Sequence, residues 1–174
     1  MENDEQFELA DGGKTLVRCK AERVRDCAVP AGVERIAPEA FADRAFGGGI
    51  SLPSSLREIG DRAFAKSRFY GFGEVAFPDG LERIGNGAFL NCTALLDVRL
   101  PTGLRRLEGR LFFMCSSLRN IKFPPHLESV APDALPGCRF SEETERRLTT
   151  LGWDPEFAEW TARNPGRSAA DVTS

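Results

Sequence analysis

The sequence predicts a repeat solenoid rich in short β-strands, and two observations predict it. Apolar residues fall into columns when the chain is aligned on a set of regularly spaced prolines. These prolines recur at intervals of 23, 25, 23 and 23 residues: Pro30, Pro53, Pro78, Pro101 and Pro124. A period of this length is typical of solenoids, in which each coil is one supersecondary unit buried by its neighbours.

The aligned columns place the same kind of residue at the same point of every coil. Three residues before the prolines come Cys27, Ile50, Val75, Val98 and Ile121. Six residues after them come Ile36, Ile59, Ile84, Leu107 and Val130. Eleven residues after them come Phe41, Phe64, Phe89, Phe112 and Leu135. We expect these side chains to face the interior of the solenoid.

Within one coil the periodicity changes several times, which indicates several corners. Val98 and Leu100 alternate as in a strand, and Pro101 ends that strand because proline has no N–H to donate to a sheet. Leu107 lies in a second short extended segment. The stretch GNGAF, residues 85–89, predicts a helical or 3₁₀ turn whose phenylalanine packs between coils.

The coil LLDVRLPTGLRRLEGRLFFMC, residues 95–115, resembles the leucine-rich repeats of the BspA or treponemal type. The unit of that family runs L-x-x-I-x-I-P-x-x-L-x-x-I-G-x-x-A-F-x-x-C, and the resemblance covers about residues 27–140. It implies a right-handed leucine-rich-repeat solenoid. The motif is specific for architecture and says little about activity, because family members share a fold and differ in what they bind.

The repeats are predicted to follow an N-terminal β-hairpin cap over residues 1–26. Its two short apolar runs flank the turn Asp11-Gly12-Gly13. Five leucine-rich repeats of about 23 residues then fill residues 27–140. Their predicted boundaries are 27–49, 50–74, 75–97, 98–120 and 121–140.

A helical cap is predicted over residues 141–163, and a flexible tail over 164–174. Ser141 and Asp154 are good N-cap residues for two short helices. We expect their apolar side chains to cover the end of the core, since an uncapped coil would expose apolar surface. The alternative is that Trp153 and Trp160 present a docking face to another chain.

Composition describes a folded protein of 174 residues with a net charge of −3. That charge gives no reason to expect nucleic acid as a partner, and no apolar run is long enough for membrane insertion. The first residues, MENDEQFELADGGK, lack the basic and apolar regions of a secretory signal. The expected location is therefore the cytoplasm for the chain as given. A cell-surface or secreted protein is the alternative if a leader was removed.

No residues with the spacing of a catalytic, cofactor or metal site can be recognised. His126 is the only histidine and there is no CxxC pair, so a structural zinc site is not expected. Fourteen residues after the prolines come Arg44, Ser67, Cys92, Cys115 and Cys138. We expect the cysteines of this column to be small buried side chains rather than reactive thiols. Cys19 and Cys27 lie outside the column, and their redox state is left open.

Charged residues alternate in sign at two positions of the repeat. Four residues after the prolines come Glu34, Arg57, Glu82, Arg105 and Glu128. Five residues after them come Arg35, Glu58, Arg83, Arg106 and Ser129. Equivalent positions on successive coils lie about 4.8 Å apart, so the alternation predicts exposed cross-coil ion pairs. Arg105 and Arg106 break the pattern and predict a small basic spot.

The irregular 25-residue coil predicts a loop that presents aromatic side chains. Counting back from Pro78 puts Phe72 at the position that Leu95 holds, and Gly47 at the same position one coil earlier. The surplus residues then fall at Ser67–Gly71, which places Phe69 and Tyr70 on a bulged loop. Exposed aromatics are plausible binding anchors, and local packing over the coil is the alternative.

The leading functional hypothesis is a non-catalytic module for binding a protein of unknown identity. The sheet face before the prolines exposes small and polar residues that could receive such a partner. The candidate partner-binding residues are Phe69, Tyr70, Glu74, Asp97, Arg99, Asn120 and Lys122. Resemblance to the family implies an adhesin-type role if the chain is exported. A structural or self-associating domain of a larger assembly is the other alternative, and an enzyme is not expected.

Overall fold

The structure is a computed structural model, and it describes residues 6–70 and 74–164, with Glu74 described by its backbone alone. Short parallel strands stack coil upon coil and form three narrow faces joined by turns. An antiparallel hairpin precedes the coils and two helices follow them. The predicted repeat solenoid is therefore confirmed.

The hairpin joins the solenoid directly. Strand β1 (Phe7–Ala10) pairs antiparallel with β2 (Thr15–Cys19), and a 3₁₀ turn at Asp11–Gly13 connects them. Gly12 and Gly13 have positive φ angles of 66° and 89°, which glycine adopts without steric cost. Strand β2 also pairs in parallel with the first coil, through the register Leu16↔Ile36. The hairpin thus provides the first layer on which the coils stack.

Three sets of strands make up the faces. The strand face, before the prolines, consists of β4 (Cys27–Ala28), β7 (Ile50–Ser51), β10 (Glu74–Ala76), β12 (Asp97–Arg99) and β14 (Asn120–Lys122). The middle face consists of β5 (Arg35–Ile36), β8 (Glu58–Ile59), β11 (Arg83–Ile84), β13 (Arg106–Leu107) and β15 (Ser129–Val130). The third face consists of β3 (Arg23–Val24), β6 (Ala45–Phe46) and β9 (Arg68–Phe69).

Residues of one sequence column pair with each other across coils. Val75 aligns with Val98 and Val98 with Ile121, while Ile59 aligns with Ile36 and with Ile84. Each of these side chains is buried in one continuous core. The period of the sequence therefore equals the period of the structure, because every coil repeats the same inward-facing positions.

Phenylalanine rings form the centre of this core. Phe64 stacks on Phe41 with ring centroids 4.8 Å apart and on Phe89 at 5.0 Å, and Phe112 extends the column at 5.6 Å from Phe89. Offset stacking of this kind adds about 0.5–1.5 kcal/mol per pair beyond the burial of apolar area. The column predicted from the sequence is thus the main packing element between coils.

The segment that leads into each phenylalanine is a series of turns rather than a helix. Its N–H groups alternate between local and cross-coil acceptors: that of Ala40 donates to Ala37 O, and that of Phe41 donates to Ala63 O. Left-handed backbone interrupts the turns twice in each of the first four coils and once in the fifth. The first set is Glu39, Arg62, Gly87 and Arg110, and the second is Asp43, Lys66, Asn91, Met114 and Gly137. The local i→i−3 bonds agree with the predicted 3₁₀-like turn, but no helical segment forms there.

Two helices follow the last coil. Helix α1 (Glu142–Thr150) is capped by Ser141, whose Oγ accepts a hydrogen bond from Thr144 N. Helix α2 (Pro155–Arg163) is capped by Asp154. The buried side chains of these helices and their connection belong to the same core as the coils: Leu148, Trp153 and Ala158. Residues 165–174 of the predicted tail lie outside the described residues.

Candidate functional site

The strand face is built from alternating inward and outward side chains. The outward positions carry Ala28, Ser51, Ala76, Arg99 and Lys122, and each of these residues is exposed. Their neighbours in the strands point into the core. These outward residues are short in the first three coils and charged in the last two, which gives the face a polar end.

The polar end of the strand face contains four of the candidate residues. Asn120 aligns with Asp97, and its Nδ2 donates a hydrogen bond to Asp97 Oδ1 at 2.7 Å. Arg99 aligns with Lys122 on the adjacent coil. Lys122 is exposed and makes no ion pair within the described part of the chain. The backbone of Glu74 aligns with Asp97, while its side chain lies outside the described residues.

The structure places Phe69 in the core, which corrects its assignment to an exposed loop. Phe69 is 2% exposed and stacks on Phe46 at a centroid distance of 5.0 Å. Phe46 is itself fully buried, so Gly47 does not leave the column empty in its coil. A buried ring cannot anchor a partner, and Phe69 is withdrawn as a binding residue. Phe72, which the sequence had placed in this column, lies outside the described residues.

Tyr70, by contrast, is 51% exposed although it directly follows Phe69. Its backbone N–H donates to Phe46 O, which fixes the residue at the end of the third face. Alternation along the strand then turns its side chain outward. Tyr70 therefore remains a candidate contact residue, at a corner of the solenoid.

Charged residues of the middle face form cross-coil ion pairs, as their alternation predicts. Arg83 pairs with Glu58, Arg105 with Glu128, and Lys14 of the hairpin with Glu34. One position behaves differently, because the guanidinium of Arg57 donates to backbone oxygens, among them Gly80 O at 3.0 Å. All these side chains are exposed or partly exposed, so each pair contributes only about 0.2–1 kcal/mol. The charges of this face are thus largely matched to one another.

The residues of the cysteine column differ in type, but their side chains share one function as hydrogen-bond donors. Each member donates a hydrogen bond to a backbone carbonyl of the preceding coil. The thiol of Cys92 reaches Phe64 O at 3.0 Å, that of Cys115 reaches Phe89 O at 3.0 Å, and that of Cys138 reaches Phe112 O at 3.2 Å. Ser67 Oγ donates to Phe41 O at 2.6 Å, and Arg44 donates to Cys19 O at 3.1 Å. The shared property is a side-chain donor, a signal that could have been read from the sequence.

This donor function predicts an unusual order of substitutions at Cys92. Cys92→Ser is expected to lower the free energy of unfolding less than Cys92→Ala does, because the hydroxyl keeps the bond to Phe64 O. The difference between the two variants should be about 0.5–1.5 kcal/mol. Ser67 already fills the equivalent place one coil earlier. Urea unfolding of both variants measures the difference. An alanine variant as stable as the serine variant would show that the bond contributes nothing.

Burial raises the pKa of four thiols, those of Cys19, Cys27, Cys92 and Cys138, and so favours their protonated form. Loss of hydration raises the pKa of Cys27 to about 12, and burial also raises the pKa of Cys92 and of Cys138 well above the usual range. Nucleophilic cysteines need the opposite shift, toward the thiolate. All five cysteines are free thiols, and four of them are buried. The column is therefore structural.

The raised pKa of Cys27 predicts a loss of stability in alkaline solution. Above pH 9 the thiol ionises in the unfolded chain but stays protonated in the folded chain, because its folded pKa is about 12. Unfolding then releases a proton, so stability falls as pH rises, by about 1.4 kcal/mol per pH unit for this group. Cys27→Ala should show a smaller loss between pH 9 and 11 in urea unfolding. Parallel pH profiles of the two proteins would contradict this.

The part of the chain that the structure describes contains no candidate metal site. No group of three or more His, Cys, Asp or Glu side chains there could hold a metal ion. Neither of the two helices is long and apolar enough to cross a membrane.

Comparison with known proteins supports this architecture. A family model described as a BspA type leucine rich repeat region matches residues 19–143 in six copies. The range begins in the hairpin, and the number exceeds the five repeats that the prolines predict. No curated protein matches the chain.

Three solved structures resemble the chain in fold. A Treponema pallidum leucine-rich repeat protein has a TM-score of 0.54 at 23% identity, over 87% of this chain and 95% of that chain. A leucine-rich repeat protein of Eubacterium ventriosum has a TM-score of 0.54 at 17% identity, over 82% and 52%. The pneumococcal vaccine antigen PcpA has a TM-score of 0.53 at 18% identity, over 87% and 46%. At these identities the likeness shows the fold alone.

Proposed function

Because this chain belongs to the BspA-type leucine-rich repeat family, we propose that it is a protein-interaction module without catalytic activity. The observation that carries the proposal is the contrast between its faces. Most charges of the middle face pair across coils, whereas the strand face presents short outward residues on its first three coils and a polar end formed by Asp97, Arg99, Asn120 and Lys122. A surface of this kind suits a partner that crosses several coils.

The rigidity of the strand face also supports binding. Its outward residues are attached to strands whose inward residues are fixed in the core, so the surface is formed before a partner arrives. Preformed surfaces lose little conformational entropy on association. All five cysteines are free thiols, so the fold contains no disulfide on which it depends. Binding could therefore take place in a reducing or an oxidising compartment.

The test is an affinity capture from lysate of the native organism, with three forms of the full chain. Wild type is compared with Arg99→Glu/Lys122→Glu on the strand face and with Tyr70→Ser at the corner. A single enriched protein that is lost with either variant supports an interaction module and identifies the surface. Phe69 is left unchanged, because truncating a core ring would confuse binding with unfolding.

Self-association is the competing possibility, and the same material decides it. Light scattering coupled to size exclusion measures the mass of each form. A dimer that dissociates with Arg99→Glu/Lys122→Glu, together with no captured protein, would support a structural role instead. A monomer that captures nothing would overturn the proposed function.

A further inference from the structure

One row of exposed side chains runs along the corner between the third face and the strand face. Its members, which we call the corner row, directly follow the buried residues Val24, Phe46, Phe69, Leu95 and Leu118. Backbone bonds connect the row across coils: Gly47 N donates to Val24 O, and Tyr70 N donates to Phe46 O. The corner row consists of Arg25, which precedes the first coil, and of Gly47, Tyr70, Leu96 and Arg119 from the first four coils, and all five are exposed.

The centre of the corner row is apolar. Tyr70 is 51% exposed and Leu96 is 38% exposed, and they lie on successive coils. Among the described residues, Met114 is the only other large apolar side chain with such exposure, and it lies at a different turn. Tyrosine is enriched at binding hot spots because it combines a large ring with a polar end. Tyr70 and Leu96 therefore give the row an exposed apolar centre on two successive coils.

The ends of the corner row are positive. Arg25 and Arg119 make no ion pair or side-chain hydrogen bond in the described residues, and neither do their neighbours Arg68 and Lys122. The row itself contains no carboxylate. On the middle face, by contrast, Arg83 and Arg105 pair with glutamates of adjacent coils, although Arg106 makes no ion pair among the described residues.

The carboxylates closest in sequence to the row are Glu22, Asp26 and Asp97. Asp97 already accepts a hydrogen bond from Asn120. Asp26 has its Oδ1 against Gly48, one coil further on. Asp26 and Asp97 belong to the outer row of the strand face, so they border the corner row without entering it. The row itself therefore carries only positive charge, and the bordering Glu22 and Asp26 likewise make no ion pair among the described residues.

We propose that the corner row binds an extended acidic segment of a partner protein, with one or two apolar residues between carboxylates. The carboxylates would pair with Arg25 and Arg119, and the apolar residues would contact Tyr70 and Leu96. Arg25 and Arg119 are four coils apart, or about 19 Å at the spacing of adjacent strands. About six residues of extended peptide span that distance. This inference rests on the proposed function and specifies the chemistry of the partner.

An acidic peptide fits the row better than a nucleic acid does. The whole chain carries a net charge of −3, which repels a long polyanion. The cations of the row are few and widely spaced, and apolar side chains occupy the positions between them. A short segment with charge at its ends matches this pattern.

Fluorescence anisotropy with synthetic ten-residue peptides tests the proposal on the full chain. The first probe has Phe-Leu at its centre and two aspartates on each side, separated by serines. A second replaces the aspartates by lysines, a third replaces Phe-Leu by Ser-Ser, and a fourth is a single-stranded oligonucleotide of ten thymidines. The variants are Arg25→Glu/Arg119→Glu and Tyr70→Ser/Leu96→Ser. The control, Lys20→Glu/Arg106→Glu, changes two exposed cations outside the row that are likewise unpaired in the described residues.

The first peptide should bind wild type at least tenfold more tightly than the other three probes. Either row variant should weaken it at least tenfold, while the control stays within twofold. Equal binding of the oligonucleotide, or equal weakening by the control, would overturn the proposal. So would absence of binding by the first peptide. If capture from lysate still identifies a partner in that last case, the proposed function stands and only the acidic segment is wrong.

Discussion

Phe69→Ala is expected to lower the free energy of unfolding by about 3–5 kcal/mol, whereas Tyr70→Ala should change it by less than about 1 kcal/mol. The two residues are adjacent in sequence, yet Phe69 is 2% exposed and Tyr70 is 51% exposed. Truncation of Phe69 removes the ring that stacks on Phe46 and leaves a cavity between coils. Urea unfolding followed by circular dichroism measures both values.

The pair of variants discriminates between two placements of the irregular coil. If both rings belonged to an exposed loop, both substitutions would have small effects. If Tyr70→Ala destabilised as much as Phe69→Ala, the corner row would not be the exposed surface that we describe. The tyrosine variant thus serves as the matched control for the phenylalanine variant.

Gly60→Ala is expected to destabilise the protein by about 1–3 kcal/mol through overpacking. A β-carbon at Gly60 would lie 2.6 Å from Pro38 N and 2.8 Å from Ala37 C of the preceding coil. Backbone atoms cannot move aside as the end of a flexible side chain can. The coils would therefore have to separate locally, which weakens the contacts of Ile59 beside it.

Gly49→Ala is the matched control for Gly60→Ala. A β-carbon at Gly49 has no atom within 4 Å, and the residue is exposed. We expect a change within about 0.5 kcal/mol, in either direction. Thermal unfolding of both variants provides the comparison. If the two variants lose the same stability, the effect at Gly60 comes from the lower backbone freedom of alanine and not from the close approach of the coils.

The repeat could be predicted from the sequence because each coil places its inward residues at the same distance from a proline. The columns that contain Val98, Leu107 and Phe89 are buried as expected, except that Ile50 is only partly buried. Their spacing is fixed by the strands and turns between them, which have the same length in every coil. Periodicity alone was sufficient for these positions.

Phe69 was assigned to the wrong position because the number of residues between two corners differs from coil to coil. Phe46 follows Phe41 by five residues, whereas Leu95 follows Phe89 by six. The first two coils therefore reach the third face one residue sooner. They have correspondingly more residues between the third face and the next strand. Counting back from the following proline cannot detect such a difference, because it leaves the total length of a 23-residue coil unchanged. The aromatic residue itself was the better signal, since Phe46 and Phe69 align with each other.

The candidate site was only partly predictable, since exposure depends on which side of a strand a residue occupies. Asp97, Asn120 and Lys122 follow the strand alternation and lie on the strand face as expected. Leu96 was not singled out, because an apolar residue beside a buried leucine resembles another core residue in sequence. The structure shows its exposure of 38%, and with it the apolar centre of the corner row.

Photo-crosslinking in cells of the native organism tests most directly whether the strand face binds a protein. A benzoylphenylalanine residue replaces Ala76 on the strand face or, in the control, Glu82 beside the middle face; both positions are exposed. We predict a crosslink to one protein from position 76 and none from position 82. Equal crosslinks from both positions, none from position 76, or crosslinks only to a second copy of the chain would contradict an interaction module that uses this face.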